Sequence, residues 1–310
     1  MKQNNTHKNI PMTAIVGASG FLGHYFLLSY REFYADCVGT VRGPAKENHN
    51  IFLLDLLKPD IRNLNLSKKG YKQALICAAE TKVYACEINK AATRKINVDG
   101  TLELIRQLID EGIKPIFFSS DQVFDGKKGS YSESSPANPI TEYGKQKAEV
   151  EANIESVTNG NYLVVRLSKV FSLKKQEGTF LDEIASILLS GGMAKAAFDQ
   201  IFCPTLINDV IDVVNWLQVT EATGIVNVCS PETWSRYDLA MALAKRIGDD
   251  ASKVKKVSLD EVMLYPKWPK NTSMISKILP KDCVTFTSIN KCIEKIADNW
   301  MASKNTLLRD

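Results

Sequence analysis

The chain has 310 residues, of which 45% are hydrophobic and 24% charged, and its formal net charge is +4. This length allows a large core and two lobes, whereas the small charge and the scattered Lys/Arg pairs argue against a nucleic-acid-binding protein. No apolar run is long enough to span a membrane, and the polar N-terminus is unlike a secretory signal, so we expect a cytoplasmic protein without a membrane partner.

A short strand, a glycine-rich turn and a helical pattern follow a tail at residues 1–10 that we expect to be flexible. The strand is Met12 to Val16, and the turn reads Gly-Ala-Ser-Gly-Phe-Leu-Gly at 17–23. In dinucleotide-binding folds such glycines permit the tight turn, the approach of a pyrophosphate and close helix packing, with the phosphates at the helix N-terminus. The spacing G-x-x-G-x-x-G is weak evidence alone. The cofactor-binding residues predicted here are Gly17, Ser19, Gly20, Phe21, Leu22 and Gly23.

The second and third predicted strands bear on the choice of cofactor. The second, at 36–41, ends in Thr40-Val41-Arg42 without the acidic residue that holds the ribose in NAD sites. Arg42 could pair bidentately with a 2′-phosphate, which favours NADPH and leaves NADH as the alternative; otherwise Arg42 is a surface residue. The third strand, at 51–54, leads into Asp55 and Leu56, where Asp55 either accepts from an adenine amino group or caps the next turn.

Alternation of strands and helices continues to residue 120. An apolar strand at 74–79 is typical of a buried parallel sheet, and its small final residues leave space for a cofactor. A long helix is predicted at 85–111, closed by Gly112, and a fifth strand at 116–119. This alternation predicts an α/β, Rossmann-like doubly wound parallel sheet.

Three polar residues suggest chemistry at one end of that sheet. Ser120 follows strand five, where catalytic groups of open α/β sheets lie, although a turn hydroxyl is the simpler reading. Thr141 is a predicted N-cap, and in the helix that follows Tyr143 and Lys147 are four residues apart and share a face. A nearby ammonium would lower the pKa of Tyr143 and allow proton exchange near neutral pH. Most Tyr-x-x-x-Lys pairs on helices do no chemistry.

After a sixth strand at 162–167 the alternation becomes less regular and predicts a smaller C-terminal substrate-binding lobe. Ser235 is a predicted N-cap. The elements predicted here are helices at 177–192, 208–219, 235–247 and 289–301, a strand at 224–228, and a loop or short strand at 199–205. The predicted NAD(P)-binding domain is 11–170 with roughly 205–230, and the smaller lobe is 171–204 with 231–310.

No metal site is expected. The three histidines are His7, His24 and His49, and none has metal-ligand spacing. The seven cysteines are scattered, without a Cys-x-x-Cys, and are interpreted as free, buried thiols.

Taken together, the motifs resemble the extended short-chain dehydrogenase/reductases, and within them the NDP-sugar reductases of the dTDP-4-dehydrorhamnose reductase type. The resemblance covers most of the chain in the family's order. The segments that carry it are GASGFLG (17–23), CAAETKV (77–83), INVDGT (96–101), FSSDQVFDG (118–126), YGKQKAEVE (143–151), RLSKVF (166–171), DQIFCPT (199–205) and GIVNVCSPETWSRYDLA (224–240).

The resemblance implies a catalytic triad of Ser120, Tyr143 and Lys147. NADPH would reduce a sugar ketone, Tyr143 would protonate its oxygen, Ser120 would hydrogen-bond that oxygen, and Lys147 would hold the nicotinamide ribose. The further cofactor-binding residues implied are Thr40, Arg42, Asp55, Leu56, Cys77, Ala78, Ala79, Thr81, Asn97, Ser119 and Ser168. The substrate-binding residues implied, besides Ser120, are Glu80, Val83, Asp121, Gln122, Val123, Phe124, Lys169, Gln200 and Lys270, with Lys267 as a second candidate for the diphosphate.

Departures from the family pattern all lie on the substrate side. The usual Thr-Asp-Tyr after strand five is Ser120-Asp121-Gln122, the usual Val-Asp after strand four is Val83-Tyr84, and the aromatic residue after strand six is Lys169. The resemblance therefore supports the reaction type more firmly than a rhamnose substrate.

The expected function is an NADPH-dependent reductase of a nucleotide-activated keto-sugar in deoxysugar or polysaccharide biosynthesis. A 4,6-dehydratase is disfavoured because Gln122 cannot ionise. An NDP-sugar epimerase and a non-catalytic NADP-binding regulatory subunit stay open. Members of this fold often dimerise, so a homodimer is compatible with the resemblance.

Overall fold

A parallel sheet forms the centre of the fold. The computed structural model describes residues 10–33, 37–43, 50–248 and 251–307, so the tail predicted at 1–10 lies almost entirely outside the described residues. The strands are β1 Thr13–Val16, β2 Gly39–Val41, β3 Ile51–Leu53, β4 Gln73–Ile76, β5 Lys114–Ser120, β6 Leu163–Leu167, β7 Val170–Phe171, β8 Ala194–Ala197, β9 Ile201–Phe202, β10 Thr205–Leu206, β11 Gly224–Val228, β12 Trp234–Ser235 and β13 Val254–Val257. The main sheet has seven strands in the order β11-β6-β5-β4-β1-β2-β3, all paired in parallel. Its first six strands follow the Rossmann order, which confirms the predicted α/β class.

Helices cover both faces of this sheet. They are α1 Phe21–Arg31, α2 Val83–Ile88, α3 Lys90–Arg94, α4 Thr101–Asp110, α5 Glu142–Thr158, α6 Phe180–Leu189, α7 Ile207–Val219, α8 Arg236–Arg246, α9 Leu259–Val262 and α10 Ile289–Leu307. Val16 of β1 belongs to a buried cluster with Leu104 of α4 and Val150 of α5. Its neighbour Ile15 points to the opposite face and packs in a cluster with Phe26 of α1. Strands buried on both faces read as continuous apolar runs, which is why the sequence pattern identified them.

The predicted strand at 74–79 is too long at its carboxyl end. Strand β4 ends at Ile76, so residues 77–79 form a loop at the edge of the sheet. Strand β3 ends at Leu53 rather than at 54, and β2 begins at Gly39, whereas residue 36 of the predicted strand lies outside the described residues. Because β4 ends early, the site is bordered here by a loop instead of a strand end.

The single helix predicted at 85–111 is wrong. The segment forms α2, α3, a π-helical turn over Lys95–Gly100, and α4, which ends at Asp110. A Cβ on Gly100 would lie 1.7 Å from the carbonyl oxygen of Leu56, so the chain touches the loop after β3 here. The wider turn also directs Asn97 inward, where its side chain bonds the backbone of Glu80. Tertiary contact therefore reshapes a segment whose local propensity is helical.

The C-terminal lobe has its own buried cluster, formed mainly by α6, α8 and α10. Strands β8 and β13 pair in parallel beside it, and β11 joins the main sheet next to β6. Helix α6 begins at Phe180 rather than at 177, because Gly178 takes a φ of +67° that a helix does not allow. Helix α10 runs to Leu307, beyond the predicted end at 301. The predicted Ser235 cap is confirmed, since its hydroxyl accepts from the amide of Asp238 at 3.0 Å.

No helix within the described ranges combines the length and the apolar character that a membrane crossing needs. In the same part of the chain, no three His, Cys, Asp or Glu side chains are grouped as metal ligands; His7 and His49 lie outside it. The cysteines are free thiols, all buried except the half-buried Cys77, which confirms their interpretation for all but that one.

Candidate active site

The glycine turn brings the end of β1 against the loop after β4. Gly17 has a φ of +90°, and a Cβ on it would lie 2.6 Å from the backbone nitrogen of Ala78. A Cβ on Gly23 would lie 2.2 Å from the carbonyl oxygen of Gly17, so helix α1 packs directly on the turn. Gly20 is the N-cap of α1 and offers no side chain to cap it. The first amides of α1 therefore remain available to an anion, as a dinucleotide site requires.

Two clefts meet at this turn. The larger has a volume of about 540 Å³ and the smaller about 200 Å³. Gly20, Cys77 and Ala79 line both, so the clefts are continuous at the glycine turn. A dinucleotide with its pyrophosphate at α1 would reach into one cleft with each half, and the arrangement fits NADP.

The smaller cleft contains the residues predicted for the adenosine half of the cofactor. Gly17, Ser19, Thr40, Arg42, Asp55, Leu56 and Ala78 line it. The guanidinium of Arg42 is exposed there, whereas the carboxylate of Asp55 accepts from the amide of Leu57 at 3.0 Å and so caps the turn. Glu80, predicted on the substrate side, lines this smaller cleft instead. Asn97 does not line either cleft; it holds the Glu80 loop from behind.

The larger cleft contains the predicted triad. Phe21, Leu22, Thr81, Val83, Ser119, Ser120, Asp121, Gln122, Tyr143, Lys147, Ser168 and Lys169 line it. Thr141 caps α5 as predicted, accepting from the amide of Gly144 at 3.1 Å. A Cβ on Gly144 would lie 2.1 Å from the carbonyl oxygen of Gln122, which presses the start of α5 against the loop after β5. This contact brings Tyr143 of the helix beside Ser120 of the strand end.

The electrostatics of Tyr143 differ from the prediction. Burial raises its pKa, and the nearby Asp121 and Cys86 add to this, while a hydrogen bond with Ser120 opposes it. The expected lowering by Lys147 is wrong, because the pKa of Tyr143 is raised; burial also lowers the pKa of the Lys147 ammonium, to about 8. Lys147 donates to the carbonyl oxygen of Phe118 at 2.8 Å, and its nitrogen lies 5.8 Å from the Tyr143 ring centroid. In this cleft Tyr143 is therefore a weaker acid than a free phenol.

Ser120 is held by its neighbours in the loop. Its hydroxyl donates to Asp121 at 3.1 Å and accepts from the amide of Gln122 at 3.2 Å. The other oxygen of Asp121 accepts from the hydroxyl of Thr272 at 2.6 Å, and burial raises the pKa of the carboxyl. Thr272 lies far away in the sequence, and no local signal marks it.

A buried ion pair connects α5 to the sheet beneath the triad. Arg166 of β6 contacts Glu151 of α5 at 2.6 Å, and both side chains are about 95% buried, with exposures of 4% and 5%. The hydroxyl of Ser119, predicted to bind the cofactor, donates to Glu151 and so points away from the cleft. Ser119 therefore lines the cleft with atoms other than its hydroxyl.

Several residues predicted for the substrate lie elsewhere. Val123 and Phe124 are fully buried, and Phe124 stacks on Tyr131 with 4.3 Å between ring centroids, so both belong to the core. Gln200 is buried outside the cleft, where its carbonyl accepts from the amide of Arg236 at 2.9 Å.

The lysines predicted for the diphosphate also lie outside the cleft. Lys270 is paired with Asp199 at 2.9 Å and Asp260 at 2.6 Å. Lys267 is exposed and does not line either cleft.

The C-terminal lobe contributes residues that the sequence did not single out. Arg236, Glu183 and Trp268 line the larger cleft. Arg236 is the first residue of α8, directly after the correctly predicted Ser235 cap. This position at a helix start was the one feature of the sequence that could have pointed to Arg236. The Lys169 ammonium lies 5.7 Å from the Trp268 ring centroid.

Comparison with known proteins agrees with this geometry. A family model described as the RmlD substrate binding domain matches residues 12–299. The chain is 27% identical over 250 residues to the probable low-salt glycan biosynthesis reductase Agl14 of Haloferax volcanii, covering 78% of this chain and 82% of that protein. It is 26% identical over 265 residues to methionine adenosyltransferase 2 subunit beta of Xenopus tropicalis, covering 82% and 77%. The structure of a Bacillus anthracis dTDP-4-dehydrorhamnose reductase in complex with NADP has the same fold, with a TM-score of 0.75 and 22% identity, covering 93% of this chain and 99% of that one.

Proposed function

The chain belongs to the RmlD substrate binding domain family, and from that premise we propose that it is an NADPH-dependent reductase of a nucleotide-activated keto-sugar. One observation carries the proposal: Ser120, Tyr143 and Lys147 line a single cleft that continues into the glycine turn. The volume of about 540 Å³ suits a sugar nucleotide beside a nicotinamide. Relatives named as a glycan biosynthesis reductase and a dTDP-4-dehydrorhamnose reductase support a role in deoxysugar or polysaccharide biosynthesis.

The described residues fit NADPH at the glycine turn. The uncapped start of α1 would hold the pyrophosphate, and the exposed Arg42 would hold a 2′-phosphate. Within the described residues at the end of β2, up to residue 43, no carboxylate is present for the ribose of NADH, which stays the second choice. When bound, NADPH supplies the hydride for the ketone carbon.

The protein's own residues manage the ketone oxygen. The phenol of Tyr143 donates its proton to that oxygen. The hydroxyl of Ser120, which otherwise donates to Asp121, turns to donate a hydrogen bond to the same oxygen and stabilises the charge that develops there. The ammonium of Lys147 has three N–H donors, of which one goes to the carbonyl oxygen of Phe118, so the ammonium can also donate to a ribose hydroxyl.

We propose that residues 11–170 with roughly 205–230 bind the cofactor and that 171–204 with 231–310 bind the substrate. A cytoplasmic location and a homodimer stay predictions. The relative named as a subunit of methionine adenosyltransferase supports a second candidate, an NADP-binding regulatory subunit.

Replacement of Tyr143 by phenylalanine tests the proposal. With a panel of uridine and thymidine diphosphate keto-sugars, the variant should lose about 10²- to 10⁴-fold in kcat, because a general acid contributes about that much. NADPH binding, followed by nicotinamide fluorescence, should change less than about twofold. Tyr84→Phe is a matched control, since Tyr84 is 59% exposed and does not line either cleft. NADPH binding without turnover of any keto-sugar would favour the regulatory subunit instead.

A further inference from the structure

Two cationic side chains in the larger cleft have no part in the proposed catalytic steps. Lys169 lies just past the carboxyl end of β6, and Arg236 is the first residue of α8. Both line the larger cleft and both are partly buried, Arg236 with 22% of its side chain exposed. They approach the cleft from different lobes, so they meet there only because the two lobes pack together.

Neither cation is well neutralised by the protein. The carboxylate nearest Arg236 is that of Glu183, at 3.7 Å, which is longer than a charge-assisted hydrogen bond, and the Glu183 side chain is 55% exposed. Among the described residues, no carboxylate lies within ion-pair distance of the Lys169 ammonium. This ammonium lies over the ring of Trp268. Burial and the neighbouring Arg236 both lower the pKa of Lys169, while the charges of Asp121 and Glu183 oppose this without preventing a net decrease.

Asp121 is the buried acid that could offset Lys169, but it is already engaged. One carboxylate oxygen accepts from Thr272 at 2.6 Å and the other from Ser120 at 3.1 Å. Burial also raises the pKa of the Asp121 carboxyl. The pair of cations therefore keeps the capacity to bind an anion supplied from outside.

The position of this pair relative to the triad indicates which part of a substrate would meet it. Ser120 pairs in register with Leu167 on the neighbouring strand, and Lys169 follows two residues later at the same edge of the sheet. Lys169 is also close enough to Asp121, the residue after Ser120, for their charges to interact. An anion on Lys169 thus lies beside the reacting ketone rather than at the far end of the nucleotide.

We infer that Lys169 and Arg236 form a subsite for a carboxylate carried by the sugar ring, so that the substrate is a nucleotide-activated keto-sugar acid. This inference rests on the proposed reductase function and narrows its substrate class. In a hexuronic acid the carboxylate is on the carbon next to ring carbon 4, which places it close to a ketone at that carbon. Lys169 supplies a compact ammonium, and Arg236 supplies a planar guanidinium with parallel N–H donors; both groups bind carboxylates well.

Titration calorimetry on the NADPH-loaded protein tests the subsite. The probes are UDP-glucuronate, UDP-glucose and UDP, together with the thymidine diphosphate counterparts. We expect the acidic nucleotide sugar to bind about 10-fold or more tightly than the neutral one, because a charge-assisted hydrogen bond contributes that much. Lys169→Met and Arg236→Met should each remove this preference and leave the affinity for UDP unchanged. Lys169→Arg should restore most of it, and Lys195→Met, an exposed lysine on β8, should have no effect.

The outcomes separate this inference from the proposed function. Equal affinity for acidic and neutral nucleotide sugars would overturn the carboxylate subsite and leave the reductase proposal standing. If the Lys169 and Arg236 variants weaken UDP as much as UDP-glucuronate, the pair binds the diphosphate, and the inference is wrong. If NADPH binds and no nucleotide of either base does, both the inference and the proposed function fail.

Discussion

Replacement of Lys147 by methionine should stabilise the folded protein at neutral pH while abolishing activity. The Lys147 side chain is buried, with 4% of its surface exposed, and its ammonium has one hydrogen bond, to the carbonyl of Phe118. Burial lowers its pKa from 10.5 to about 8. Methionine fills a similar volume without a charge, so the variant avoids the unfavourable burial of the ammonium.

The size and the pH range of this effect follow from the pKa values. A change from 10.5 to about 8 corresponds to about 3 kcal/mol. Below pH 8 the lysine is charged in both states and the folded protein carries that full cost. Between about pH 8 and 10.5 the unfolded chain binds a proton that the folded protein does not, so the stability of the wild type rises with pH. Loss of the bond to Phe118 opposes the gain by about 1 kcal/mol, which leaves a net gain of about 2 kcal/mol at pH 7.

Urea unfolding of the ligand-free proteins, followed by tryptophan fluorescence between pH 7 and 10.5, measures this difference. The advantage of Lys147→Met over the wild type should be largest near pH 7 and should fall by about 3 kcal/mol by pH 10.5. Lys145→Met is the control, because Lys145 is an exposed residue on the same helix, and its difference should not follow this trend. An advantage that stays constant or grows with pH would refute the reasoning.

Three further predictions concern stability and cofactor choice. Glu151→Ala leaves a buried guanidinium unpaired and should lower the free energy of unfolding by about 3–5 kcal/mol; Glu149→Ala removes only an exposed ion pair and should cost less than about 1 kcal/mol in the same urea assay. Arg42→Ala should weaken NADPH binding about 10- to 100-fold and leave NADH unchanged, as measured by fluorescence titration; equal losses for both would rule out a 2′-phosphate contact. Gly100→Ala should lower the free energy of unfolding by about 1–3 kcal/mol in thermal denaturation. Gly43→Ala is the control and should be neutral, because its Cβ would meet no atom within 4 Å. Similar effects of the two substitutions would show that the π-helical turn has room for a methyl group.

Local chemistry made the cofactor end of the fold predictable from the sequence. The glycine turn, the buried strands and the Thr141 cap each depend on residues within a few positions of one another. The order of the strands follows from their alternation with helices. These features needed no knowledge of which distant segments come together.

Tertiary contacts account for the incorrect predictions. The helix predicted at 85–111 is interrupted at Asn89, and it widens into the π-helical turn that ends where Gly100 touches Leu56, more than 40 residues earlier in the sequence. Phe124 follows the catalytic strand like its neighbours, yet its side chain turns into the core. The direction of a side chain after a strand end depends on the surrounding packing, which the sequence pattern does not specify.

The substrate end of the site was the least predictable part. Arg236 and Trp268 come from the C-terminal lobe, where the alternation of elements gives no register with the main sheet. Lys270, which the resemblance implied for the substrate, is paired with Asp199 and Asp260 outside the cleft. The sequence does not show such pairing, because it depends on which side chains meet in the folded chain.

The most direct test of a reductase is the fate of the hydride during a single turnover with excess nucleotide keto-sugar. With NADPH deuterated at the reactive carbon 4 position, we predict one NADPH oxidised for each keto-sugar consumed and one deuterium bound to the former ketone carbon of the product. The Tyr143→Phe variant should still bind the labelled cofactor, but its rate of deuteride transfer should be lower by about 10²-fold or more. Conversion of the keto-sugar into an isomer, with no net oxidation of NADPH and no deuterium in the product, would contradict the account and identify an epimerase.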